Sequence, residues 1–188
     1  MTTKRGVLYI AFGDCFMKEL RYSAESVKKY NPDLHISVFT DKPFECEFVD
    51  SVQIMEVRHL RPKIDYIKFA PYEETIFLDT DTIINHSLDD LYGILQKYDM
   101  ALVHDLARKR KKFENTIPAY GEIPYSFSEI NTGVIAFKKN DKTNKLFEDW
   151  RENFYKYAHG TSHLLEYQYG TAMSQCTFFP LSIILEVL

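Results

Sequence analysis

Two acidic residues two positions apart, Asp79 and Asp81, follow an apolar run at residues 75–78 that has the composition of a buried strand. Side chains at positions i and i+2 of an extended chain point to the same side, so we expect both carboxylates to face one way at the strand's carboxyl end. Ligands bind at that edge of an open α/β sheet. Carboxylates this close repel each other, and a hard divalent cation, Mg²⁺ or Mn²⁺, relieves the repulsion. Such ions keep open positions for substrate phosphates, so the pair predicts a metal that holds a diphosphate.

Two other interpretations of this acidic pair have to be weighed. Turns at strand ends are rich in Asp for hydrogen-bonding reasons alone. Here, however, apolar residues flank the pair at 76–78 and 83–84, so we expect the acids to interrupt a buried segment, where idle charges are costly. A phosphatase with an aspartyl nucleophile also has an Asp-x-Asp after an apolar strand. In that class the pair lies near the N-terminus and a Thr or Val stands where this chain has Ile83.

Length and composition limit the classes of function. The 188 residues predict one domain over 1–188 with a single core. A net charge of -4 gives no electrostatic case for nucleic acid as a partner. The basic run at 108–112 is the exception, and it predicts either a solvated surface or a clamp for an anionic acceptor or membrane.

The three cysteines, Cys15, Cys46 and Cys176, are widely spaced and odd in number, which indicates reduced thiols and a cytoplasmic location. No run approaches the roughly 20 apolar residues of a membrane-spanning helix. Tyrosines at 155, 157, 167 and 169 predict an apolar surface patch that would suit a homodimer.

Strand patterns alternate with helical patterns, which predicts an α/β fold with a mostly parallel sheet. The predicted strands cover residues 7–12, 36–39, 52–57, 75–78, 100–103, 133–137 and 178–184. The predicted helices cover residues 16–30, 63–69, 88–98, 143–157 and 163–173.

Three sequence blocks together resemble a known family. They are the first strand and turn followed by YSAESVKKYNPDLHISVFTD, then PKIDYIKFAPYEETIFLDTDTII, then FSEINTGVIAFKKN, and they span residues 6 to about 140. In order and spacing they resemble nucleotide-sugar-dependent glycosyltransferases of the A-type fold, nearest to the glycogenin and bacterial galactosyltransferase group. The resemblance implies a single Rossmann-like domain. It also implies transfer of a sugar from a nucleotide diphosphate donor, UDP, to an acceptor hydroxyl with retention of configuration.

The resemblance also implies roles for individual residues in the nucleotide pocket. Ala11, Phe12 and Gly13 would form the floor of this pocket, and Thr40 and Asp41 would lie at its edge.

The diphosphate and the donor sugar would be held by a second group of residues. Asp79 and Asp81 would bind Mn²⁺ or Mg²⁺, and Lys63 would reach the diphosphate as a point charge, with Lys68 as the alternative. The segment Asn131-Thr132-Gly133 resembles the turn that faces the donor sugar in this family. A carbohydrate, lipid or protein acceptor would bind on the side formed by residues 105–130 and 140–188.

The chain departs from the family pattern in its C-terminal third. The family takes a third metal ligand from a C-terminal His and has an Asp-Gln pair after the Asn-x-Gly strand, whereas here His104, His159 and His163 lie elsewhere and the nearest pair is Glu166 and Gln168. We therefore expect either a minimal form whose metal is completed by water or a truncated form. A non-catalytic nucleotide-sugar-binding module is the main alternative. A sugar nucleotidyltransferase is the other, but residues 13–16 lack the Gly-rich, Arg-containing loop of that class.

Overall fold

The computed structural model describes residues 4–58, 61–106 and 123–158 of the protein, with side chains as far as residue 156. These residues form six strands and four helices. The strands are β1 (Arg5–Ala11), β2 (His35–Thr40), β3 (Ser51–Ile54), β4 (Glu74–Leu78), β5 (Met100–His104) and β6 (Ile130–Lys138). The helices are α1 (Asp14–Tyr30), α2 (Pro62–Tyr66), α3 (Asp89–Leu95) and α4 (Asp141–Ala158), and a 3₁₀ turn at Ile67–Phe69 continues α2.

All six strands form one sheet in the order β3-β2-β1-β4-β6-β5. The first four of these strands pair in parallel, while β6 is antiparallel to both of its neighbours. Five strands therefore point the same way, and the predicted α/β class with a mostly parallel sheet is confirmed. We call the side where these five strands end, and where β6 begins, the carboxyl edge of the sheet.

Each face of the sheet is covered by helices. Alternate residues of β1 divide between the two faces, Val7 and Tyr9 on one and Leu8 on the other, and all three are fully buried. Apolar residues of α1 and α3 cover the first face, and apolar residues of α2, the 3₁₀ turn and α4 cover the second. Burial on both faces explains why the central strands are almost continuously apolar.

Several predicted boundaries differ from the observed ones. The helix predicted for 88–98 ends at Leu95, because the amides of Gln96 and Lys97 bond three residues back in 3₁₀-type turns. The strand predicted for 52–57 is shorter, and β3 is exposed along its whole length as an edge strand.

Some predictions lie outside the described residues. They are the helix at 163–173, the strand at 178–184, the basic run at 108–112, the histidines at 159 and 163, and the pair Glu166 and Gln168. No helix among the described residues combines the length and the apolar character that crossing a membrane requires.

Gly6 in β1 packs closely against the ring of Tyr72 and leaves no room for a side chain. A Cβ at Gly6 would lie 2.2 Å from Cζ of the Tyr72 ring. The ring is held in place because its hydroxyl lies 2.7 Å from Nδ1 of His35 and 2.6 Å from Oγ of Ser37. We expect Gly6→Ala to lower the free energy of unfolding by about 1–3 kcal/mol, measured by urea denaturation. The control is Gly93→Ala in α3, where no heavy atom lies within 4 Å of the added Cβ. This control should be neutral or stabilising, and equal losses in the two variants would contradict the packing seen here.

Candidate active site

The acidic pair lies on a turn at the carboxyl edge, directly after β4. The amide of Thr82 donates to the Asp79 carbonyl (3.2 Å), which closes a turn over residues 79–82. Asp79 is half-buried, whereas Asp81 is exposed and Ile83 is 58% exposed. The prediction of an extended geometry is therefore wrong, and the expected burial of the flanking residues holds for 76–78 but not for Ile83. Partial desolvation and, second, the charge of Asp79 raise the pKa of Asp81, so the two carboxylates do repel each other as expected.

Lys63 of α2 forms an ion pair with Asp79 in the interior of this edge. Its Nζ lies 2.6 Å from Oδ1 and 2.9 Å from Oδ2 of Asp79, and it donates to the Thr132 carbonyl at 3.1 Å. The ammonium also lies 5.1 Å from the centroid of the Phe77 ring. The side chains of Lys63 and Asp79 are only 14% and 19% exposed. Burial lowers the pKa of Lys63, and the neighbouring Asp79 carboxylate opposes that shift.

The alternative lysine lies elsewhere. Lys68, on the 3₁₀ turn, pairs with Glu148 of α4 at 3.4 Å on the surface. The geometry therefore favours Lys63 over Lys68 as the lysine of the site.

The Asn-Thr-Gly segment lies inside β6 and does not form a turn before it. Pairing with β5 shifts register, so that Leu102 faces Ile135 while Val103 faces Asn131. The segment is thus part of a β-bulge, which polar residues and a glycine can accommodate. The expectation of a turn before the strand is therefore wrong. The Gly133 amide bonds to Oδ1 of Asn131 (2.8 Å), and the Gly133 carbonyl accepts from the Asp79 amide (2.8 Å).

Gly133 keeps space free beside the ion pair. A Cβ at this position would lie 3.1 Å from Oδ1 of Asn131 and 3.5 Å from Oδ2 of Asp79. The structure therefore brings Lys63 and Asp79 together with all three residues of the Asn-Thr-Gly segment.

The residues predicted for the nucleotide pocket lie together at the ends of β1 and β2. Ala11 pairs with Thr40 in the sheet, and both are buried. Gly13 has φ 95°, a conformation that favours glycine, and its amide donates to Oδ1 of Asp41 at 3.1 Å. The Phe12 ring is buried 5.8 Å from the ring of Tyr66 in α2, which joins this group to the helix that carries Lys63.

The fold is similar to that of known proteins. No protein-family model and no curated protein matches the sequence. Among solved structures, the galactosyltransferase LgtC in complex with donor and acceptor sugar analogs superposes with a TM-score of 0.54 at 16% identity, over 87% of this chain and 67% of that one. The apo form of glycosyltransferase GlyE from Streptococcus pneumoniae TIGR4 gives a TM-score of 0.52 at 16% identity, over 85% and 39%. The bifunctional glycosyltransferase WbbM gives 0.53 at 12% identity, over 82% and 35%.

The chain has the glycosyltransferase A-type fold. This confirms the fold expected from the three sequence blocks, while membership of the glycogenin group stays a prediction. The chain spans about two thirds of the length of LgtC and about two fifths of that of GlyE.

In this A-type fold, helix α1 holds the acidic turn by residues that the sequence analysis missed. The Thr80 hydroxyl donates to Oε2 of Glu19 at 3.2 Å. The hydroxyl of Ser23 lies 3.0 Å from that of Thr82, and the Ile84 amide donates to the Ser26 hydroxyl at 2.9 Å. Glu19, Ser23 and Ser26 are four and three positions apart, so they share one helix face. Their spacing, which places three polar side chains on one face of helix α1, is the sequence signal that could have identified them.

Thr82 is the residue through which this support can be tested. Its hydroxyl donates to the Asp79 carbonyl at 2.8 Å and contacts Ser23. Because Thr82→Val keeps the shape and removes these bonds, we expect the free energy of unfolding to fall by about 0.5–1.5 kcal/mol in urea denaturation. Thr82→Ser keeps the hydroxyl and should cost less. A larger loss for the Ser variant than for the Val variant would argue against a role for these bonds.

Arg61, which directly precedes α2, was also missed. Burial lowers its pKa and the charge of Asp79 opposes that shift, so the guanidinium acts electrostatically on the same carboxylate as Lys63. Two cationic side chains two positions apart at the start of a helix are the corresponding sequence signal. Two further acids, Asp105 and Glu129, are buried at the same edge, where the Asp105 amide donates to the Glu129 carbonyl.

The resemblance implies a divalent metal on Asp79 and Asp81, and the residues present suit one. Within the described residues no group of three or more His, Cys, Asp or Glu side chains has metal-binding geometry. The two carboxylates nevertheless offer the hard oxygen donors that Mg²⁺ and Mn²⁺ prefer. Moreover, a cation already lies against Asp79, because the Lys63 ammonium contacts both of its oxygens.

Proposed function

We propose that the protein is a metal-dependent glycosyltransferase that moves a sugar from a nucleotide diphosphate donor, UDP, to an acceptor hydroxyl. The single observation that carries this proposal is the buried Lys63–Asp79 ion pair at the carboxyl edge of an A-type fold, with Asp81 on the adjoining turn. A known galactosyltransferase with donor and acceptor analogs shares the fold, which supports sugar transfer as the reaction class.

The nucleotide would lie over the ends of β1 and β2. Gly13 has no side chain and is half-buried there, and Ala11 and Phe12 are buried beside it. The Asp41 carboxylate, which accepts from the Gly13 amide, would lie at the edge of the pocket, beside Thr40. We assign uracil as the base from the sequence resemblance.

The diphosphate would lie over Asp79, Asp81 and Lys63. A divalent metal bound by the two carboxylates supplies positive charge against the diphosphate that leaves as the glycosidic bond breaks. The ammonium of Lys63 adds a second positive charge at the same place, and Arg61 a third. Because the side chain of Lys63 is only 14% exposed, its charge is less screened by water than a surface charge and stabilises the leaving group more.

The donor sugar would face the Asn-Thr-Gly bulge of β6. The missing Cβ of Gly133 leaves room beside Asp79, and the exposed Asn131 side chain lies next to it. Retention of configuration is part of the proposal and rests on the resemblance. In a retaining transfer the charges at the diphosphate promote departure, and no separate carboxylate base opposite the leaving group is needed.

The experiment that tests this proposal is a turnover assay with UDP-hexoses, Mn²⁺, and water or mixed saccharides as acceptor. Transfer should release UDP, and NMR of the first product should show the anomeric configuration of the donor. Asp81→Asn should lower the rate at least about 100-fold. Formation of uridine triphosphate and hexose 1-phosphate from the UDP-hexose and added pyrophosphate would identify a nucleotidyltransferase instead. Metal-dependent binding without turnover would identify a binding module.

Other expectations from the sequence stay predictions. These are a single domain over 1–188, a cytoplasmic location, a homodimer, and an acceptor side formed by residues 105–130 and 140–188. In the described part of the chain, Tyr155 points its hydroxyl toward Asp65, 3.0 Å from Oδ2, so this tyrosine contributes to the fold as well as to any surface patch.

A further inference from the structure

The Lys63 ammonium makes three short contacts, and all of them are within the protein. It lies 2.6 and 2.9 Å from the two oxygens of Asp79 and 3.1 Å from the Thr132 carbonyl. A lysine ammonium has three N–H donors and no acceptor. Nζ also lies 3.4 Å from Oγ1 of Thr132, so the ammonium is held by Asp79 and Thr132 together. A bond from this residue to a diphosphate has to compete with these contacts.

The same contacts also restrict Asp79. Both carboxylate oxygens already face a cation at hydrogen-bond distance. A divalent ion that took either oxygen would bring a second, larger positive charge to within a few ångströms of the ammonium, and the two cations would repel each other. The ammonium thus weakens the binding of a metal ion when no nucleotide is present.

The surroundings allow Lys63 to move while Asp79 stays in place. The Asp79 backbone is fixed by the bond from its amide to the Gly133 carbonyl at 2.8 Å and by the Thr82 hydroxyl on its own carbonyl. Lys63 is a point charge on a flexible four-carbon stem. Gly133 places no side chain beside Oδ2 of Asp79, where a Cβ would lie at 3.5 Å.

We propose that the Lys63 ammonium occupies the position of the metal on Asp79 in the free protein. When metal and nucleotide bind together, the metal takes this position and Lys63 moves from Asp79 to the diphosphate. This inference rests on the proposed function and adds a binding order to it. A metal alone is opposed by the ammonium, and a diphosphate alone has to compete with Asp79 for Lys63. When both bind, the metal neutralises Asp79 and the diphosphate receives Lys63, so each ligand raises the affinity for the other.

The test compares Mn²⁺ binding in the wild type, Lys63→Met and Lys68→Met by calorimetry, first without UDP and then with saturating UDP. Lys63→Met should bind Mn²⁺ alone at least about tenfold more tightly than the wild type, because the opposing cation is gone. The factor by which UDP raises Mn²⁺ affinity should shrink by a similar amount. Lys68→Met removes an equal charge from the neighbouring 3₁₀ turn, where the lysine pairs with Glu148, and should behave as the wild type.

Two outcomes separate this inference from the proposed function. Metal-dependent UDP binding with equal Mn²⁺ affinities in the wild type and Lys63→Met would overturn the exchange and leave the function standing. No binding of Mn²⁺ or UDP by any variant would overturn both.

A second measurement does not depend on the folding of the Met variant. In wild-type protein with ¹⁵N-labelled lysine, the side-chain resonance of Lys63 is identified by its loss in Lys63→Arg. This resonance should move when Mg²⁺ and UDP are added together and change much less with Mg²⁺ alone. A resonance that stays unchanged with both ligands bound would overturn the exchange.

Discussion

Asp79→Asn and Asp81→Asn are both expected to abolish metal-dependent binding of UDP, with a loss of at least about 100-fold in affinity. Each variant removes one of the two negative charges that would hold the metal. The variants should differ in stability, because Asp79 is half-buried against Lys63 while Asp81 is exposed. We expect Asp79→Asn to lose about 1–3 kcal/mol of unfolding free energy, since it leaves a buried ammonium without its carboxylate. Asp81→Asn should be close to neutral.

Calorimetry with UDP and Mn²⁺ measures the affinities, and urea denaturation measures the stabilities. Asp33→Asn, an exposed acid in the turn between α1 and β2, serves as the control for loss of one negative charge and should bind as the wild type does. Undiminished metal-dependent binding in Asp81→Asn would show that the second carboxylate is not a ligand. Equal stability of Asp79→Asn and the wild type would contradict the ion pair with Lys63.

Arg151→Met is expected to cause the largest loss of stability away from the site. Nε of Arg151 lies 2.6 Å from Oδ1 of Asp65, whose side chain is only 2% exposed, and the Tyr155 hydroxyl donates to the same carboxylate. Removing one partner of a buried ion pair costs about 3–5 kcal/mol. Because Arg151 is 34% exposed, we discount this to about 2–3 kcal/mol, measured by urea denaturation.

The double variant Arg151→Met with Asp65→Asn makes this prediction specific. Replacing the buried carboxylate by a neutral amide should recover part of the loss, whereas independent sites would show additive losses. Lys145→Met, on the exposed side of α4, removes a surface pair with Asp149 and should leave stability unchanged.

The Asp65–Arg151 ion pair also affects the candidate active site, because Asp65 and Lys63 belong to the same short helix, α2. The contacts of Asp65 with α4 hold α2 in place and thereby fix the backbone position of Lys63. We therefore expect Arg151→Met to weaken UDP binding as well, by less than Asp81→Asn does. Unchanged UDP affinity in a clearly destabilised variant would mean that α2 keeps its position without this contact.

Local sequence patterns predicted the strands of the sheet and the edge at which the acidic residues lie. Central strands such as β1 and β4 are buried on both faces, so their apolar runs are unambiguous. The carboxyl end of such a strand is where an open α/β sheet binds ligands, and Asp79 follows β4 directly.

The geometry of the acidic pair could not be predicted from its neighbours in sequence. The turn at 79–82 is set by bonds to Gly133 in β6 and to Glu19 and Ser23 in α1, all more than 50 positions away. The extended arrangement assumed for Asp79 and Asp81 ignored these contacts. In the same way, pairing with β5 turned the expected Asn-x-Gly turn into a bulge within β6.

The ion pair between Lys63 and Asp79 also depends on tertiary structure. Sequence resemblance assigned the lysine to a diphosphate and the aspartate to a metal, and no local pattern indicated that they contact each other. Their contact arises because α2 packs over the second face of the sheet and points its first turn at the end of β4. The same packing pairs Asp65 with Arg151, 86 positions later.

Calorimetric titration of UDP into the wild-type protein, once with Mn²⁺ and once with EDTA, tests the central claim most directly. We expect binding with Mn²⁺ and its loss in EDTA, because two carboxylates without a metal repel a diphosphate and Lys63 is held by Asp79. Equal UDP affinity in the two conditions would contradict the metal-dependent site. Absence of UDP binding with Mn²⁺ would contradict the assignment of this edge as a UDP site.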